Sequence, residues 1–543
     1  MIDPQNPNYL NTPVHANRRR FQYQADNAPN TPVVTIITPY YNTGEVFHET
    51  ADCVRNQSLQ DWEWLIINDG SNDPEALAIL DHYAKLADPR IRIIHQISNQ
   101  GPGAARNKGS LHAQSQFLFF IDSDDLIEAT LLEKCLWCLL SNPQVSFVNS
   151  YTVGFGAKEF LWESRFGECM NCLTNNPSNP NFMIRKIVYQ VVDGYDIEIR
   201  AGMEDWDFWL RCATKGYWGY TIPEYLFWYR RRQNHEQRWS NQSDPNKFEQ
   251  FRDRLRIKYS PLVLPEISNL NSASLAIYSD QSLFLPFDNP LKKNKKRVLL
   301  LVPWFALGGA EKFNLDLIGQ LIDRHNCEVT IVATRTDGDA WSNIWLPIFA
   351  KLSSDIFILK HFLNRTDFPR FLHYLIRSRK IDSVIVTHSE IGYQLLPYLR
   401  AQCPHVSFID YVHTELPEWM NGGFPRLSLM YQQQLDLTLT TSNHLKNWLI
   451  ARGGNPKKIE TCYINIDANN WNPELFNHTA IRAELGIAQN TTVILYACRL
   501  AAQKRPQMFA KVMRTLKKDH LNVVCLVAGD GPERGFLEKY IQQ

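Results

Sequence analysis

The most restrictive feature of the chain is a rhythm. Short unbroken apolar runs at Val33 to Thr38, Trp64 to Ile67, Ile91 to His95 and Gln116 to Ile121 are separated by stretches with helical patterning. Strands that are apolar on both faces and alternate with helices belong to parallel sheets covered on both sides, so this region is predicted to be α/β and built from βαβ units. In such open sheets ligands bind beyond the carboxyl ends of the strands. Those ends carry Pro39-Tyr40-Tyr41-Asn42, Asn68-Asp69-Gly70-Ser71 and Asp122-Ser123-Asp124-Asp125, which gathers polar and acidic groups on one rim.

The rhythm loosens between Tyr225 and Pro290, a stretch read as boundary and linker, and restarts at Val298-Leu299-Leu300-Leu301-Val302. Further strands of this second region are expected at Glu328 to Thr334, Ser383 to Thr387, Val406 to Tyr411 and Leu435 to Thr440. Val493 to Ala497 and Val523 to Ala528 read as the first strands of a third. Doubly wound sheets usually have about five or six strands, so the third region is expected to be incomplete at Gln543. The expected organisation is a flexible N-terminal extension over 1–30, a first domain over 31–260, a linker over 261–296, a second domain over 297–487 and the start of another over 488–543.

A chain of 543 residues exceeds the roughly 250 to 300 at which single cores stop growing, which agrees with several domains. Hydrophobic and charged fractions of 44% and 21% are ordinary for globular proteins and give no support to a disordered or fibrous chain. With 57 basic and 56 acidic residues there is no global field to gather nucleic acid, which is not an expected partner. No apolar run approaches the roughly 20 residues of a membrane helix, and no signal peptide is evident, so a cytoplasmic location is expected. The basic run Lys292 to Arg297 reads as solvated linker, with peripheral contact at the inner face of a membrane as its second reading. Eleven cysteines, an odd and sparse set, suit reduced thiols. Cys135 and Cys138, and Cys169 and Cys172, have a spacing that zinc can use, but the first pair falls in the apolar run Leu131 to Leu140, where cysteine behaves as a small hydrophobe.

Asp122 and Asp124 sit two apart at a strand end, where alternate side chains point the same way and can share a cation. Magnesium and manganese prefer such carboxylate oxygens. Taken alone, such a cluster is more often a turn or helix cap than a metal site. Upstream, Gly101-Pro102-Gly103-Ala104-Ala105-Arg106-Asn107-Lys108 is a glycine-rich loop entering a helix with two cations, a setting that admits a phosphorylated ligand or serves packing alone. Downstream, Glu204-Asp205-Trp206 opens a helix whose acids either favour its first turn or include a general base. Trp206, Trp218, Trp228 and Tyr229 read as core or as stacking surface for sugars.

In this order, Ile36 to Asn42, Asn68 to Ser71, the Gly101 loop, Asp122 to Asp125 and Glu204-Asp205 before Tyr229-Arg230 resemble the family 2 glycosyltransferases of GT-A fold. The resemblance spans Pro32 to Arg232. It implies a nucleotide-diphospho-sugar donor, a UDP-sugar first among them, and a glycan or lipid-linked saccharide acceptor. Pro39, Tyr41 and Asp69 would border the nucleoside, Gly103 and Arg106 would lie near the donor, and Asp122 and Asp124 would hold ribose and Mn2+ or Mg2+. Asp205 would be the catalytic base with Glu204 beside it, and His235 would complete the metal shell. The implied reaction is an inverting displacement at the anomeric carbon.

The second region opens with Pro303-Trp304-Phe305-Ala306-Leu307-Gly308-Gly309-Ala310-Glu311-Lys312, which is not a GxGxxG fingerprint and removes the main support for a nicotinamide enzyme. It resembles instead the family 4 glycosyltransferases of GT-B fold, a resemblance that runs from Arg297 to Gln543. It implies that His413 is an active-site histidine, that Ser442 is the strand-end serine, and that Arg499 and Lys504 grip the donor diphosphate. Cys498 replaces the glycine usual before that arginine, and the family's paired glutamates would lie beyond Gln543. The expected function is a tandem glycosyltransferase of surface polysaccharide synthesis. Two other readings stand beside it: a chain with only the first module catalytic, the second docking or binding acceptor, and a non-catalytic glycan- or nucleotide-binding protein.

Overall fold

The computed structural model describes residues 21–26, 31–86, 88–163, 166, 172–200, 202–232, 244–260, 287–306, 308–335, 343–519 and 522–542. Two compact units are present, Met1–Tyr463 and Ile464–Gln543. The first unit contains two sheets.

The first sheet has nine strands: β1 (Val34–Tyr40), β2 (Trp62–Asn68), β3 (Ile91–His95), β4 (Phe117–Phe120), β5 (Leu126–Ile127), β6 (Phe147–Gly156), β7 (Phe160–Trp162), β8 (Met183–Arg185) and β9 (Gly219–Arg231). Its order is β3-β2-β1-β4-β8-β6-β9-β5, with β7 on β6. The first four strands are parallel, as their apolar runs require, and β4 pairs antiparallel with β8. Every residue of β2 is buried. Strand β9 continues to Arg231, beyond the Tyr225 at which the sequence pattern loosens. Pro223 obscures it: this residue has no N–H to donate and falls in a register shift between Ile222 and Tyr225, where β9 bulges against β6.

The second sheet is parallel throughout. It comprises β10 (Arg297–Val302), β11 (Glu328–Ala333), β12 (Ile356–Ile358), β13 (Ser383–Thr387), β14 (Ser407–Val412), β15 (Leu437–Thr440) and β16 (Ile459–Thr461), in the order β12-β11-β10-β13-β14-β15-β16. The second unit pairs β17 (Thr492–Ala497) with β18 (Val523–Ala528) in parallel.

Four helices matter below: α1 (Pro102–His112), α2 (Leu131–Ser141), α3 (Glu204–Thr214) and α4 (Phe368–Arg379). Helix α2 of the first sheet's layer packs on α4 of the second. Trp137 lies 4.9 Å from Phe371 and 5.1 Å from Tyr374, ring centroid to centroid. Beside them the Arg379 guanidinium holds both oxygens of Glu133 at 2.6 Å and reaches Asp355 at 2.9 Å. All three side chains are fully buried.

Several segments expected to be solvated are packed here. Phe21 and Tyr23, inside the expected N-terminal extension, are buried, and the Tyr23 hydroxyl donates to Asp355. In the expected linker Asn289 is fully buried, and its amide donates to the Ser58 carbonyl and the Tyr374 hydroxyl. Within the basic run, Arg297 is buried against Glu328 and Lys293 pairs with Asp382. Cys135 and Cys138 are fully buried in the apolar core, and burial pushes both thiols up, Cys138 to about 12, which suits hydrophobes rather than zinc ligands. Cys169 lies outside the described residues. No helix among the described residues is long and apolar enough to cross a membrane.

Candidate active site

A cleft of about 610 Å³ opens beyond the carboxyl ends of β1, β2 and β4. Its wall includes Pro39, Tyr41, Asp69, Asp122 and Asp124, five of the residues singled out from sequence. Arg200, the end of β9 from Tyr229 and the Arg232 that follows it also line the cleft.

Local structure explains how each is held. Asp69 accepts from Gln96 Nε2 at 2.7 Å and from the backbone N–H groups of Gln100 and Gly101 at 2.8 Å, which ties the β2 end to the loop before α1. Gly70 follows at φ +71°, and a Cβ there would fall 2.6 Å from the Ser98 carbonyl carbon, so only glycine fits this turn. Gly101 at φ +93° and Pro102 at the first helical position then start α1. Gly103 does not line the cleft; it lets α1 pack on Tyr195, whose Cβ would lie 3.2 Å from an added methyl.

Arg106 projects inward from α1 and is 1% exposed. One nitrogen donates to Asp122 Oδ1 at 2.6 Å and another to Glu204 Oε1 at 2.8 Å. It thus joins a cleft carboxylate to the first turn of α3. Asp125 is fully buried and structural: it accepts from Arg230 N–H at 2.9 Å and from Asn181 at 3.2 Å, fastening the β9 end to the β4 end. Burial raises the Asp122 carboxyl, Arg106 opposes this and Asp124 adds to it. Burial raises Asp125 far more, with Asp124 and Asp122 contributing.

Glu204 and Asp205 are buried, and neither is part of the cleft wall. Asp205 accepts from Asn176 Nδ2 at 2.9 Å and from the Trp206 N–H at 3.0 Å. Burial first, and then Glu204 beside it, push its carboxyl up to about 7. A carboxylate poised near neutrality is suited to accept a proton. Trp206 and Trp228 are core, with their indole N–H groups donating to the Cys172 carbonyl and to Glu128; Tyr229 alone of the four aromatics faces the cleft.

Asp122 and Asp124 supply carboxylate oxygens, the hard donors that magnesium and manganese take, and two such carboxylates side by side favour an added positive charge. His235 lies outside the described residues. The side chain that reaches Asp124 is Arg232, whose Nε and Nη2 both donate to Oδ2, at 2.9 and 2.7 Å. Of the cleft arginines, Arg231 and Arg232 are marked in the sequence only by the arginine run at a strand end, and Arg200 stands alone in its loop with no such signal.

The residues assigned to a second centre lie elsewhere. His413 follows β14 on the second sheet, 4.5 Å from His388 between ring centroids. Burial, and then His388, lower its imidazole to about 3, and its Nε2 has no partner among the described residues. Ser442 caps the helix Asn443–Ile450 by accepting from the Leu445 N–H. Arg499 and Lys504 belong to the second unit, where both are exposed.

Comparison with known proteins follows this division. Residues 35–203 match the family described as Glycosyl transferase family 2, residues 307–470 Glycosyltransferase Family 4, and residues 477–543 Glycosyl transferases group 1. A Bacillus subtilis protein named as the glycosyltransferase EpsH is 43% identical over 106 residues, 20% of this chain and 30% of that protein. Another from B. subtilis, named as the teichuronic acid biosynthesis glycosyltransferase TuaG, is 29% identical over 203 residues, 37% of this chain and 79% of its own length. A crystal structure of residues 1–349 of S. aureus TarS in complex with UDP aligns at a TM-score of 0.35 with 17% identity, over 44% of this chain and 68% of that one.

Proposed function

We propose, for a chain that belongs to the glycosyltransferases through its family 2, family 4 and group 1 segments, that the first module transfers a sugar from a nucleotide-diphospho-sugar to an acceptor hydroxyl with inversion. The observation that carries this reading is the continuity from the cleft carboxylate Asp122, through buried Arg106, to Glu204 and the near-neutral Asp205.

The residues divide the work. Pro39, Tyr41 and Asp69 border the nucleoside at the β1 and β2 ends. Asp122 and Asp124 would hold a divalent cation, which when bound supplies positive charge to the departing diphosphate. Arg106 neutralises Glu204, so that Asp205 next to it is the carboxylate left to take the acceptor proton as the hydroxyl oxygen attacks the anomeric carbon. The bond from that carbon to the diphosphate oxygen breaks, and the electron pair leaves with the nucleoside diphosphate. TuaG's name in teichuronic acid synthesis supports a growing polysaccharide as the acceptor class, with a lipid-linked saccharide as the other acceptor of the same reading. Lys292, exposed in the basic run, leaves peripheral membrane contact as part of the same proposal.

The test is a transfer and donor-hydrolysis screen of the full chain over nucleotide sugars, UDP-sugars first, with and without manganese. Chelation is expected to abolish turnover and added Mn2+ or Mg2+ to restore it. Asp124→Ala should weaken binding of metal and donor together, because it removes a direct ligand. Full turnover in excess chelator would rule out the metal role.

A further inference from the structure

Arg232 holds Asp124, one of the two carboxylates read as cation ligands. Its guanidinium places two nitrogens on one oxygen of Asp124, 2.9 and 2.7 Å away, and side chains of both residues are about a quarter exposed at the cleft wall. A guanidinium is always charged and has donors only, so it can satisfy a carboxylate but can never ligate a cation. The neighbouring arginine of the run is differently employed. Arg230 donates through Nε to the Asp124 carbonyl and through Nη2 to Glu49, which fixes it as part of the turn. Arg231 lies over the Tyr229 ring, 5.1 Å from its centroid. Arg232 is therefore the cation of this run that holds a cleft carboxylate through its side chain alone, on an arm long enough to swing.

We infer that Arg232 is an exchangeable counter-ion of the donor site: it occupies Asp124 when no donor is bound and passes to the donor diphosphate when a divalent cation takes Asp124. The inference rests on the metal-site reading of Asp122 and Asp124. Its chemistry is an exchange of ion pairs. Guanidinium leaves one carboxylate oxygen and meets phosphate oxygens, which suit its planar fork equally well. The exchange makes metal and diphosphate binding mutually favourable, since each ligand removes the obstacle to the other. Without diphosphate, a cation must compete with Arg232 for Asp124.

The experiment is calorimetric titration of the full chain with Mn2+ alone, with UDP alone, and with each in the presence of the other. Wild type should bind Mn2+ more tightly when UDP is present. Arg232→Gln should bind Mn2+ alone about five- to tenfold more tightly than wild type and UDP alone several-fold more weakly, with the mutual enhancement reduced, as expected for loss of a partly exposed pair worth about 1 kcal/mol. Arg231→Gln removes the same charge from the same cleft without touching Asp124, and Arg232→Lys keeps the charge with a single donor point. Equal Mn2+ affinity in Arg231→Gln and Arg232→Gln would reduce the effect to bulk electrostatics and overturn the exchange. If Arg232→Gln melts early, Arg232→Lys carries the test: an affinity for Mn2+ alone tighter than that of Arg231→Gln, with weakened UDP binding, supports it, and an affinity no tighter than that of Arg231→Gln overturns it. Failure of the wild type to bind Mn2+ even at saturating UDP would instead remove the metal reading on which the inference stands.

Discussion

Asp205→Asn is expected to lose about 10² to 10⁴ in turnover while keeping its nucleotide-sugar affinity, the range typical of removing a general base. Asparagine preserves the shape of the side chain at the start of α3 and can still accept from the Trp206 N–H, but it cannot take a proton. The pH dependence has a definite sign. With its carboxyl pushed up to about 7 by burial and by Glu204, wild-type Asp205 is protonated in acid, so turnover should rise with pH through about 7 and level off above it. The same shift acts on stability. The unfolded carboxyl ionises near 3.9, and the folded one retains its proton up to about 7. The stability that Asp205 contributes is therefore present below the lower value and lost as pH rises through the higher one. Between pH 5 and 8 the melting temperature of Asp205→Asn should gain on wild type. Calorimetry with the donor nucleotide, turnover against pH and melting curves on both proteins check the three parts. Near-normal turnover in the variant would move the base elsewhere.

The second large effect is structural and lies at Arg379. Its guanidinium neutralises Glu133 from the first module and Asp355 from the second, with none of the three reaching solvent. Tyr374 and Ser58 also donate to Glu133, and Thr330 and Tyr23 to Asp355, so the carboxylates are anchored from several elements. Removing one partner of a buried pair typically costs about 3 to 5 kcal/mol, because the survivor stays desolvated. Arg379→Met leaves two such survivors and is expected at the upper end of that range or beyond. A triple variant that also carries Glu133→Gln and Asp355→Asn should recover much of the loss, since the groups left behind are neutral. Denaturant melts followed by UDP binding report whether the first module fails together with the second. A chain ending near residue 260 should be unstable for the same reason, as it exposes the α2 face around Trp137 and leaves Glu133 without its cation. A well-folded Arg379→Met protein with stability within 1 kcal/mol of wild type, about the average effect of any substitution, would show that the two modules do not depend on this contact.

Most parallel strands of the two sheets were legible as short apolar runs, while the three-residue β12 and β16 left none. β1 to β4, β10, β11 and β13 to β15 fall where those runs stand. The cleft residues Pro39, Tyr41, Asp69, Asp122 and Asp124 were legible for a related reason: strand ends in a parallel sheet converge on one rim, so residues far apart in sequence share a surface whatever the loops between them do. Strand β9 was only half visible, because Pro223 and the bulge around it break the pattern on which such a reading depends. Long-range side-chain pairing has no sequence signature. Nothing local announces that Arg106 joins Asp122 to Glu204, that Arg232 reaches back to Asp124, or that Arg379 closes on Glu133 across 246 positions. An arginine reads the same in a linker and in a core. What the sequence determined by itself was where the main parallel strands run and which polar groups end on their rim, since both follow from local patterns of burial. The partner of each charged side chain was decided only when the sheets and helices packed, because burial is what makes an unpaired charge costly and so selects its neighbour.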